Sequence, residues 1–152
     1  MIKRIANKGQ CESCKILVSK QSAARHCQKC YFLSSPVGAV PCFLIKITSD
    51  SLLYWLYLSV PAKSTLAEID DFLRSTWLEC CGHLSAFNVN GVHYDSNPEI
   101  DGEHLDDMNI EVGSLLVKGM RFYYEYDFGS TTKLHLEVVD VYQTTVNAKY
   151  VF

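Results

Sequence analysis

The residues that most restrict what this chain can fold into lie between positions 11 and 30. They run Cys11-Glu-Ser-Cys14, then a stretch of about a dozen residues, then His26-Cys27-Gln-Lys-Cys30. Soft donors grouped in close pairs suit a tetrahedral, borderline-soft ion such as Zn²⁺, because each pair closes a short loop at small entropic cost. The spacing predicts one zinc site. Its ligands are read as Cys11, Cys14, His26 and Cys30, with Cys27 as the alternative to His26. The segment Gln21 to Cys30 contains neither Gly nor Pro, so it favours helix, with Ser19 as its N-cap. On a helix His26 and Cys30 stand four apart and share a face, the arrangement of a ββα finger.

Such an arm has little to bury beyond Ile16, Leu17, Val18 and two alanines. It is not expected to fold without metal, which makes the zinc structural and the site closed. The whole chain has 152 residues, 48% of them hydrophobic and 20% charged. That describes a globular protein with one ordinary core and a small appendage. Ser34-Ser-Pro-Val-Gly38 interrupts regular structure. The expected organisation is therefore a finger over 1–33, a linker over 34–41 and a body over 42–152. The N-terminus lacks the apolar run of a signal peptide. The most apolar stretch, Leu52 to Val60, is about half the length needed to span a bilayer. No membrane association is expected. An odd count of seven cysteines, at least three of them clustered for metal, points to a reducing compartment and to the cytoplasm.

Charge divides the chain. Residues 1–30 carry seven basic side chains against the single acid Glu12, a net +6, whereas the remaining residues carry seven basic and sixteen acidic groups, a net −9. A basic arm on an acidic body suggests that the arm meets a polyanion, DNA or RNA, while the body meets a protein partner. The competing reading is that the finger docks on its own body. Lys20, Gln21 and Arg25 lie along the expected finger helix and are the candidate phosphate contacts.

The body reads as α+β. Cys42 to Thr48 and Leu53 to Val60, joined by Ser-Asp-Ser, form a hairpin. Thr65-Leu-Ala-Glu68 is a capping box. Behind it Ile69, Phe72, Leu73, Trp77 and Cys80 mark the apolar face of a helix, with Asp70, Asp71 and Arg74 opposite and Gly82 as its stop. Cys80 and Cys81 are expected to be structural. Asn90-Gly91 signals a second hairpin. Residues 95–111 carry seven acids and no Lys or Arg. A calcium loop does not fit there, because the sixth position is Ile100 and the twelfth Asp106. Phe122, Tyr124, Tyr126 and Phe128 alternate as one face of a strand, Leu134, Leu136 and Val138 face inward on the next, and Tyr142 to Phe152 is a weaker strand. The final Tyr-Val-Phe suggests a chain cut from something longer.

Leu44-Ile-Lys-Ile, Val60-Pro-Ala-Lys-Ser-Thr-Leu-Ala-Glu68, Trp77, His83-Leu-Ser-Ala-Phe-Asn-Val-Asn-Gly-Val-His-Tyr94 and Phe122-Tyr-Tyr-Glu-Tyr-Asp-Phe-Gly129 together resemble the plasmid pRiA4b ORF-3-like family over roughly residues 42–142. Members commonly continue with acidic residues and a tryptophan after that glycine, where this chain has Ser130-Thr-Thr132. The resemblance implies a β-grasp-like fold, no established enzymatic activity and an association with mobile elements. The finger resembles an extension that some relatives carry. His83, His93, His135 and Asp127 offer acids and bases, but no two fall in a motif with a mechanism attached. A non-enzymatic binding module is expected. The alternatives are a protein-interaction adaptor with a purely structural zinc, and an enzyme built around a pocket that gathers His83 and Asp127.

Overall fold

A computed structural model describes residues 7–31, 37–78, 82–99 and 106–144 of the chain. A short hairpin, β1 (Lys8–Gln10) and β2 (Leu17–Ser19), leads into helix α1 (Lys20–Cys30). Ser19 caps α1, and a capping box links the Ser19 and Ser22 side chains to each other's backbone N–H groups. The expected ββα order is therefore present. Residues 32–36, which include the first three positions of the predicted linker, lie outside the described residues.

The body is mixed α+β and mostly sheet. β3 (Val40–Ser49) and β4 (Trp55–Pro61) form the first hairpin, and α2 (Leu66–Thr76) follows. β5 (Ser85–Val89) and β6 (Val92–Asp95) form the second hairpin. The chain continues through β7 (Asp106–Asp107), the one-turn α3 (Val112–Leu115), β8 (Arg121–Tyr126) and the long β9 (Thr132–Thr144). Seven strands make one sheet in the order β4-β3-β9-β8-β5-β6-β7. Every pairing is antiparallel except β6 with β7.

The sheet has two faces with different coverings. Ile45 and Ile47 of β3, Leu56 and Leu58 of β4, Phe122 and Tyr124 of β8, and Leu134 and Leu136 of β9 bury one face with Leu66, Ile69, Phe72 and Leu73 of α2. Cys42, Leu44, Tyr57 and Tyr142 on the other face share a cluster with Cys11, Val18, Ala23, Cys27 and Tyr31 of the finger. A shift of register in the β3–β9 pair re-aims the end of β9: Leu44 pairs with Asp140 but Ile45 with Val138, which leaves Val139 as the extra residue. Such a bulge reverses which side chains face which way. Without it Tyr142 would follow Leu134, Leu136 and Val138 onto the α2 face. With it, Tyr142 reaches the finger.

Several expectations need correction. Residues Ile16 and Leu17 do not form a finger core, since they are 56% and 61% exposed. The finger buries its side chains against the sheet instead. α2 ends at Thr76 with Trp77 as its cap, its N–H bonded to the Leu73 carbonyl, well before Gly82. Asp70, assigned to the solvent face, is buried. Phe128 is exposed, because Asp127 takes a φ of 57° and turns the chain off the strand. β4 begins at Trp55 rather than Leu53, and Leu52, Leu53 and Tyr54 are exposed in the connecting loop. Tyr142 does not begin a strand but continues β9, and 145–152 lie outside the described residues, as do Cys80, Cys81 and the middle of the acidic segment, 100–105.

Candidate metal centre

The first pair of donors sits on a tight turn. Cys11 N–H bonds to the Ile16 carbonyl at 3.0 Å and Lys15 N–H to the Cys11 carbonyl at 2.8 Å. Lys15 adopts a φ of 62°, the left-handed geometry that folds Cys11-Glu-Ser-Cys14 into a knuckle. The second pair comes from α1, where His26 and Cys30 project from one face a turn apart. One ligand atom from each of Cys11, Cys14, His26 and Cys30 lies within 4.8 Å of all the others. Cys27 is not in this group. It faces the opposite way, fully buried against the sheet.

Two of the separations are close to those around a single tetrahedral ion. Zn–S bonds of about 2.3 Å and Zn–N bonds of about 2.0 Å give edges of about 3.8 Å between sulfurs and about 3.5 Å between sulfur and nitrogen. Cys11 Sγ and Cys30 Sγ are 3.9 Å apart, and Cys14 Sγ and His26 Nε2 are 3.3 Å apart. Three thiols and an imidazole are also the donor chemistry that this ion selects over magnesium or calcium.

The electrostatics prepare one thiol. Burial would raise the Cys11 thiol, but hydrogen bonds from the Cys14 backbone, the Tyr31 hydroxyl, His26 and the Ser13 backbone outweigh it and bring the group down to about 6. The shift favours the Cys11 thiolate, the form that binds metal. Burial pushes Cys27 up to about 12, so it remains a neutral thiol. Tyr31, which the sequence reading passed over, carries part of this effect. Its only signal in the sequence is its place directly after Cys30.

The remaining candidates scatter. On α1, Gln21 and Arg25 are exposed, whereas Lys20 Nζ donates to the Leu52 carbonyl at 3.1 Å. Gln28 Nε2 donates to Asp140 Oδ2 at 3.0 Å, also tying the helix to the body. His93 Nε2 lies 3.0 Å from Asn88 Nδ2, across the second hairpin. His135 pairs with Asp50 on the sheet surface. His83 and Asp127 do line one open cleft of ≈ 360 Å³ with Trp77 and Tyr126. His83 Nδ1 and Asp127 Oδ1 are 3.8 Å apart, beyond hydrogen-bond reach, and the ring of His83 meets Tyr126 edge-on. Among the described residues no helix is long and apolar enough to cross a membrane.

Comparison with known proteins yields a fold and a family. No curated protein matches the sequence. A crystal structure of a protein of unknown function from Methanosarcina mazei Go1 is similar with a TM-score of 0.62 at 15% identity, covering 74% of this chain and 67% of that one. This likeness concerns the fold alone. The family model for the plasmid pRiA4b ORF-3-like protein matches residues 42–152, the sheet and α2 together but not the finger. The chain belongs to the plasmid pRiA4b ORF-3-like protein family.

Proposed function

We propose that the chain is a non-enzymatic binding module whose finger is held in place by one structural Zn²⁺, bound by Cys11, Cys14, His26 and Cys30. The observation that carries this reading is the convergence of four soft donors within 4.8 Å of one another, two of the pairs at separations close to tetrahedral edges. Bound there, the ion cross-links the knuckle to α1. Four protein ligands leave no position open for a substrate, so the metal acts as a staple and not as a Lewis acid. Residues 1–33 form the metal-bound unit, 34–41 its connection and 42–152 a β-grasp-like body, the whole suited to a reducing, cytoplasmic setting. Metal analysis of full-length chain made under reducing conditions tests this. One equivalent of zinc is expected, lost on Cys14→Ser. Purified protein free of zinc and unable to take it up would overturn it.

A second reading concerns nucleic acid. Gln21 and Arg25 are exposed on α1 in a segment of net positive charge, and such groups suit phosphate contacts that carry no sequence choice. Lys20, engaged with the Leu52 carbonyl, would first have to release it. Binding of the zinc-loaded chain to labelled DNA and RNA at two salt concentrations is the test. A complex that weakens with salt and with Arg25→Glu supports the reading, and no complex at micromolar protein ends it.

A further inference from the structure

α1 faces two ways at once. His26 and Cys30 point to the metal donors, while Ala23 and Cys27 are fully buried in the seam against the sheet. Tyr31 stands where the two faces meet. Its backbone N–H closes the helix on the Cys27 carbonyl at 2.9 Å. Its hydroxyl accepts the Ser13 N–H at 3.0 Å, which leaves the phenolic proton to donate to Cys11 Sγ at 3.3 Å. The ring, 2% exposed, belongs to the cluster that also contains Cys42, Leu44, Tyr57 and Tyr142 of the sheet.

We propose that Tyr31 is the positioning residue of the metal site and makes zinc loading and the seating of the finger on the sheet a single event. The inference rests on the zinc reading above. Two physical facts support the coupling. Among its described residues the finger has no buried apolar cluster apart from the seam it shares with the sheet, and Ile16 and Leu17 lie in solvent. Conversely, the phenol fills the seam and reaches the Cys11 sulfur at the same knuckle-to-helix spacing that gathers the four donors. A hydrogen bond donated to a bound thiolate tunes ligand orientation and charge, and losing such a partner typically lowers metal affinity about 10–100-fold.

Two measurements on the full chain test this. In the first, Tyr31→Phe keeps the ring and removes the hydroxyl. Zinc affinity in competition with a chelator is expected to fall about 10–100-fold, and the thiolate-to-metal bands of the Co²⁺ form are expected to shift. Tyr123→Phe, at an exposed position outside the seam, is expected to leave both unchanged. Equal affinity and identical spectra for Tyr31→Phe and the unaltered chain would overturn the role of Tyr31. The second measurement uses the unaltered chain and follows alkylation of Cys42, a sheet residue covered by the finger. Cys42 is expected to be protected with zinc and to react together with Cys14 after chelation. If Cys11, Cys14 and Cys30 become reactive while Cys42 stays protected, docking does not depend on metal and the coupling fails. If Cys14 reacts equally with and without added zinc, the zinc reading itself fails and takes the coupling with it.

Discussion

Tyr124 donates its hydroxyl proton to Asp70 Oδ1 at 2.5 Å, joining a central strand of the sheet to helix α2 beneath it. The same carboxylate oxygen accepts from Ser85 Oγ at 2.7 Å, and the other oxygen accepts from Arg74 Nε at 2.7 Å. Arg74 closes the ring on Ser85 at 2.7 Å and lies over the Tyr126 aromatic face. The buried acid thus accepts from three donors, the kind of pairing by which a charge is tolerated away from water. Burial, then the bond to Asp70, pushes the Tyr124 phenol far up.

Removing the acceptor orphans several donors at once. Asp70→Ala is expected to cost about 3 kcal/mol of unfolding free energy, read by urea titration. Tyr124→Phe, which leaves the Arg74 and Ser85 bonds in place, is expected to cost about 1 kcal/mol. Equal losses for the two would show that the network does not act through Asp70.

Ligand substitutions separate the two cysteine roles on α1. Cys30→Ser and His26→Ala are expected to abolish stoichiometric zinc binding. Cys27→Ser is expected to retain one equivalent of zinc and to lose about 1–2 kcal/mol of stability, since it puts a hydroxyl in an apolar seam. Metal content and thermal unfolding of the same preparations check both. Loss of zinc from Cys27→Ser with retention in His26→Ala would reverse the assignment.

Gly113 allows a close backbone approach. A Cβ there would lie 2.7 Å from the Ala62 carbonyl oxygen, which already accepts the Gly113 N–H at 2.8 Å. Backbone cannot retreat as a flexible side chain does. Gly113→Ala is expected to destabilise by about 1–3 kcal/mol, measured by denaturant unfolding. A neutral result would mean that the α3 segment moves freely against the turn after β4.

The seam between finger and sheet is expected to weaken in alkali. Burial pushes Tyr57 and Tyr142 up to about 12 from an ordinary value of 10.0. A folded-state value above the unfolded one means that folding favours the neutral phenol. That contribution is complete below pH 10 and is lost as pH rises towards 12. Spectrophotometric titration of the tyrosines is expected to show a late, cooperative step that coincides with release of the finger. Ionisation of all tyrosines near pH 10 without loss of structure would contradict it.

Local order was legible in the residues. The ligand spacing, Ser19 before a run of helix formers, and the Thr65–Glu68 capping box each act over a few positions, so sequence alone reports them. So does Asn90-Gly91, whose φ values of 53° and 84° suit the tight hairpin turn. The family resemblance over the body was also visible in its motifs. Periodicity failed where a distant partner decides. Asp70 carries a charge and reads as solvent-facing until Tyr124 and Ser85 arrive from strands far along the chain. Phe128 continues an alternation that the left-handed Asp127 breaks.

By itself the sequence determined that the arm would carry soft Cys and His donors in close pairs on a turn and a helix, because those signals are carried by neighbours along the chain. Only the tertiary structure decided what the other side of that helix does. Choosing between His26 and Cys27 required knowing where the sheet lies, since one of two adjacent residues must face the donors and the other the seam. The bulge at Val139, which turns Tyr142 towards the finger, and the phenol of Tyr31, which reaches back to Cys11, depend on contacts between segments remote in sequence. No local pattern encodes a contact whose two halves fold in different parts of the chain.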